Sequence, residues 1–137
     1  MAGASALLNV WLGLRVGRMR VAHKVSIGDG GVEPLTARMR AQANFVEYAP
    51  FILVLVAVIE MARGPQLWLW AAGALFLVAR ILHALGMDRP PGNRLRKIGA
   101  MATGVILIAL AGYALAIPYL ERLKPVSTDY AVAADHA

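Results

Sequence analysis

The stretch RMRAQANFVEYAPFILVLVAVIE, Arg38 to Glu60, joins two kinds of sequence that rarely share a helix. From Pro50 to Ile59 every residue is apolar, whereas Arg38 to Tyr48 carries two arginines, a glutamine, an asparagine, a glutamate and a tyrosine. Extended over Asn44 to Ala62, the apolar part approaches the roughly 20 residues that cross a bilayer. The stretch therefore reads as a membrane helix with polar first turns. Three further spans are predicted on either side, at about Ala4 to Val16, Leu67 to Leu85 and Ile98 to Leu120, the first being the shortest.

The whole chain agrees with this reading. Of its 137 residues, 59% are hydrophobic and 16% charged, with a mean hydropathy of +0.60; soluble domains carry about 25% charged residues. The expected fold is all-α, an integral membrane bundle of four antiparallel helices over residues 1–124, followed by a short polar tail at 125–137. No Lys or Arg precedes the first apolar run, so that run is read as a retained span rather than a removable signal. The connections carry turn residues: SIGDGGVEP (Ser26 to Pro34), ARGPQ (Ala62 to Gln66) and GMDRPPGN (Gly86 to Asn93). Asp29 with its glycines superficially resembles a calcium loop, but the other ligand positions are missing. An ordinary turn and no metal are expected.

The formal charge of +6 is explained by cations flanking membrane spans, and no nucleic-acid partner is expected. Arg15, Arg18, Arg20, Lys24, Arg38 and Arg40 flank the first connection, and Arg89, Arg94, Arg96 and Lys97 lie in or beside the third. The positive-inside rule then puts those two connections in the cytoplasm and both termini outside. The chain has no cysteine, so any thiol chemistry would use a thiol brought by a substrate.

Residues three or four apart share a helix face. Arg40, Asn44 and Glu47 form one stripe, with Tyr48 beside it; Arg80 and His83 form another at the same depth. Intramembrane charges cost roughly 2.5–3.5 kcal/mol each on insertion scales and face a bundle interior, a partner or a watery cavity. Pro50, a turn deeper, frees a backbone carbonyl and can bend the helix. One reading is structural: Glu47 pairs with Arg80, Asn44 joins helices, and Arg38, Arg94 and Lys97 sit among headgroups. The other is a site. Arginine forks suit carboxylates, a carboxylate suits an ammonium, and amide and phenol groups fix orientation, so the implied guest is a small anionic zwitterion.

RMRAQANFVEYAPF resembles the signature of the MAPEG family, the membrane-associated proteins in eicosanoid and glutathione metabolism, in which an arginine-alanine pair is followed by an asparagine, a glutamate and a proline. ARILH, Ala79 to His83, resembles a second signature, and the GDGG of the first connection is similar to a small bacterial branch of the family. The resemblance implies a homotrimer in the bacterial inner membrane that binds glutathione between subunits near the cytoplasmic face. Carried over by position, Arg40, Asn44, Glu47, Tyr48, Arg80 and His83 hold the tripeptide, with Gln42 and Arg20 as weaker members. An arginine at the start of the last helix stabilises the thiolate, which attacks a lipophilic electrophile or reduces a peroxide. The pair Asn93-Arg94 places it at Arg94, while counting from Arg80 gives Arg96. Met87 stands where well-known members often have a tyrosine.

Two other functions fit parts of the pattern. A non-catalytic scaffold or sensor would keep the pocket without the reaction. A small four-span multidrug transporter would need a membrane glutamate in its first helix, and this first span has no acid.

Overall fold

Several helix boundaries fall where the sequence removes a donor or supplies a turn. In the computed structural model, which describes residues 1–123, α1 spans Ala2–His23, α2 Glu33–Arg63, α3 Leu67–Met87 and α4 Arg94–Arg122. The expected tail at 125–137 lies outside the described residues. α1 closes on a left-handed Lys24 (φ 54°), with the N–H of Val25 returning to the Arg20 carbonyl at 3.0 Å. α2 opens with Glu33 and Pro34, an acid and a proline in the first turn, where the positive dipole end and the missing N–H both suit them. It ends at Gly64, before Pro65. Pro50 lies inside α2 without ending it.

The GDGG connection is a turn built on its own aspartate. The Asp29 carboxylate accepts from the Gly31 N–H and the Thr36 hydroxyl, both at 3.0 Å, and Gly28, Gly30 and Gly31 all have positive φ, which glycine adopts without steric cost. These hydrogen bonds, the Gly31 N–H first, hold the Asp29 carboxyl below the ordinary carboxylate range.

The architecture is the expected integral membrane four-helix bundle. α2, α3 and α4 are each long and apolar enough to cross a membrane. α1 is helical beyond its predicted span, yet it is not one of these three; Asn9, Arg15 and Arg18 dilute its apolar run. α3 packs most extensively with α4, and α1 lies against α2 with a smaller contact to α3. α3 is the most enclosed of the three long apolar helices, with 44% of its most apolar window buried against 28% for α2 and 22% for α4. Its Phe76 stacks on Phe45 of α2 with ring centroids 6.1 Å apart, within a core that includes Leu12, Ile52, Ile59, Leu69 and Leu110. Leu7, Phe51, Leu75, Ile108 and Leu115 project outward. So broad an apolar exterior calls for lipid rather than water.

Candidate functional site: a polar cavity at the ends of three helices

The spacing of the α2 stripe brings Arg40, Ala43, Asn44 and Glu47 to one side. Opposite stand His83 and Met87 from the last turns of α3 and Arg96 from the first turn of α4. These seven residues line a cavity of about 90 Å³. It lies at the end of the bundle that carries the α1–α2 and α3–α4 connections. Arg40, Glu47 and Arg96 are exposed at its rim, Asn44 is half-buried, and His83 is buried.

Two glycines let the α3 and α4 walls meet. A Cβ on Gly99 would collide with the Ala79 carbonyl and the His83 backbone, and one on Gly86 would collide with the backbone of Arg96. By contrast, a Cβ on Gly104 or Gly112 would meet nothing within 4 Å in this chain. The Asn93 side chain caps α4 by accepting from the Leu95 N–H at 2.8 Å, which fixes where the first turn begins. Residues two apart on a helix point about 200° apart, so Arg94 and Arg96 cannot share a direction. Arg96 lines the cavity; Arg94 is exposed and does not. His83 donates from Nδ1 to the Arg96 carbonyl at 3.3 Å. In a neutral imidazole that leaves Nε2 as an acceptor.

Arg80, one turn below His83, is only 1% exposed and lies behind the cavity rather than in its lining. Its Nη1 donates to the Thr103 hydroxyl at 3.2 Å, and that hydroxyl donates to the Gly99 carbonyl at 2.8 Å. Nε and Nη2 have no protein partner among the described residues. Glu47 makes no ion pair with Arg80 among them either, so the pairing expected on the structural reading is not formed. A buried guanidinium with unmatched donors is costly, and an apolar replacement of similar volume commonly recovers stability. Arg80→Met is expected to raise the stability of the ligand-free protein by about 1–4 kcal/mol while weakening any anionic guest, checked by thermal unfolding with and without that guest.

The remaining predicted residues are placed elsewhere. Tyr48 is half-buried and outside the cavity lining. Gln42 turns toward α1, its Nε2 lying 3.2 Å from where a Cβ on Gly13 would stand. Arg20 lies in a separate groove with Gly17 and Lys24, donating to the Ser26 carbonyl at 3.4 Å. Asp88 was not picked out by spacing or motif, yet its carboxylate receives both Arg15 and Arg38. Arg38, read as a candidate headgroup-facing cation, is thus engaged within the chain.

The cavity is lined by the cations Arg40 and Arg96, the acid Glu47, the amide Asn44 and the imidazole of His83. Such a set can orient a zwitterion by both signs of charge. At about 90 Å³ it is far below the roughly 300–1,000 Å³ of a site that encloses a small molecule. One chain can therefore admit one end of such a guest, with the rest lying over the rim.

Comparison with known proteins bears on the family. The MAPEG family model matches residues 1–116. The inner membrane protein YecN of Escherichia coli (strain K12) is 34% identical over 107 residues, 77% of this chain and 80% of that protein. YecN of a second Escherichia coli strain matches with the same figures.

Proposed function

The chain belongs to the MAPEG family, and from this membership and the polar cavity we propose that it is a glutathione-binding enzyme of the bacterial inner membrane. It activates the glutathione thiol for conjugation to, or peroxide reduction of, lipophilic substrates. The observation that carries the proposal is the convergence of Arg40, Asn44, Glu47, His83 and Arg96 on one vacancy from three helices. Arg40 meets a carboxylate of the tripeptide, Glu47 meets its ammonium group, and Asn44 fixes the peptide between them. Arg80 adds positive charge from behind, and Tyr48 stands beside the α2 stripe.

Arg96 takes the role of the thiol arginine, because it and not Arg94 lines the cavity. A cation beside sulfur favours the thiolate and lowers its pKa from about 8.5 toward neutrality. The thiol proton leaves to water. In conjugation the thiolate forms a C–S bond and expels the leaving group with its electron pair. In peroxide reduction it attacks one oxygen, the O–O bond breaks, and a sulfenic acid and an alcohol result; a second glutathione then gives the disulfide and water.

The proposal includes a homotrimer. The small cavity and the separation of Arg20 from it leave part of the tripeptide to be covered by a neighbouring copy, which would bring its own Arg20. The first and third connections face the cytoplasm, where glutathione is supplied. The alternative reading is a non-catalytic scaffold or sensor that retains the cavity.

Turnover separates the two readings. Detergent-purified protein supplied with glutathione and either an aryl halide or a lipid hydroperoxide is expected to form thioether or alcohol above the uncatalysed rate. Glutathione binding with no turnover across both substrate classes would leave the non-catalytic reading.

A further inference from the structure

Asp88 does not line the cavity, yet it ties three helices together beside it. It is the first residue after α3, and its carboxylate is shared. Arg15 of α1 donates from Nη2 to Oδ2, and Arg38 of α2 donates from Nε to Oδ1 at 3.2 Å. Arg15 is 9% exposed; its guanidinium lies 4.7 Å from the Trp11 ring centroid, and Nη2 reaches the Ala84 carbonyl at 3.5 Å. Arg38 donates from Nη1 to the Arg15 carbonyl at 3.4 Å. The contacts form a closed circuit through α1, α2 and α3.

This circuit adjoins two walls of the cavity. Met87, a lining residue, immediately precedes Asp88 and also faces a neighbouring groove with Arg38, Asp88 and Pro90. Arg38 stands two residues before Arg40 on α2. Two guanidinium groups on one carboxylate depend on its charge: without it they repel each other, and buried Arg15 loses its counter-ion. We propose that Asp88 is a positioning residue whose double ion pair sets the level of α2 against α3, and so holds Arg40 and Asn44 across from His83 and Arg96. The ligand readout of this proposal rests on the glutathione reading, but the helix register can be measured without any ligand.

The absence of native cysteine allows clean spin labelling at Ala37→Cys and Arg89→Cys, one on each side of the clamp, with distances read by pulsed electron resonance. Asp88→Asn is the direct variant. Arg38→Gln is the second, because it frees α2 while leaving the Arg15–Asp88 pair intact. Both are expected to lengthen or broaden the distance distribution and to raise the glutathione Kd about tenfold, within the ~100-fold cost that small misplacements carry in pre-organised sites. Asp88→Glu, which keeps the charge, is expected to restore much of both. A folded Arg38→Gln protein with unchanged distances would overturn the proposal, as would a lower melting temperature with unchanged distances and affinity. A broadened distribution in a protein whose parent binds no glutathione would uphold the clamp and remove the glutathione reading.

Discussion

Arg96→Ala is expected to leave glutathione bound while removing most of its thiolate. An ordinary thiol near pKa 8.5 is only a few per cent ionised at pH 7, whereas one brought close to neutrality is about half ionised. Ultraviolet difference absorbance of bound glutathione should therefore fall about tenfold or more at pH 7, and the titration midpoint should move back toward that of the free thiol. Affinity should change much less, because Arg40 and Glu47 remain in place. Arg94→Ala is the matched control: it stands two residues away on the same helix and does not line the cavity. If Arg94→Ala removes the thiolate and Arg96→Ala spares it, the assignment of the two arginines is reversed.

Gly99→Leu is expected to be among the most damaging substitutions of a small residue, alongside any side chain at Gly86. At Gly99 the Cβ alone would collide with the Ala79 carbonyl and the His83 backbone, and backbone cannot yield as a flexible side chain can. Overpacking of this kind costs typically 1–3 kcal/mol, occasionally more; a leucine against backbone is expected at or above the top of that range, about 3 kcal/mol. The consequence reaches the site, because separating α3 from α4 draws Arg96 away from His83 and loosens the Thr103 hydroxyl that holds Arg80. Gly104→Ala, five residues along on the same helix, is expected to be nearly neutral within the chain, since its added Cβ meets nothing. Thermal unfolding in detergent, read beside glutathione affinity, checks both. Equal losses for Gly99→Leu and Gly104→Ala would show that the α3–α4 contact is not the sensitive one.

Helix positions were legible in the sequence because turn residues and apolar length act locally. Pro34, the Gly64–Pro65 pair and the Pro90–Gly92 turn mark ends that the bundle keeps. The Arg40, Asn44 and Glu47 stripe was legible for the same reason, since the helical period alone puts those side chains on one face. The facing of separate helices was less so. Nothing in the spacing distinguishes Gly99 from Gly104, yet only the former has α3 backbone against it. Arg80 has the residue type of a ligand-binding group, but its depth in α3 turns it toward Thr103 and away from the vacancy. Asp88 follows an apolar helix as an ordinary loop acid would. Its partners lie 73 and 50 residues away along the chain, a relation that no local pattern encodes.

Calorimetric titration of glutathione into the detergent-purified protein, alongside Glu47→Gln and Arg40→Ala, is the most direct measurement. Saturable binding with a Kd between about a micromolar and a millimolar, corresponding to roughly −8 to −4 kcal/mol, is expected for the parent, with each variant weaker by about tenfold, the loss of one charge-assisted contact. No saturable heat for the parent at high glutathione, or binding that both variants leave unchanged, would mean that the polar cavity does not hold this tripeptide.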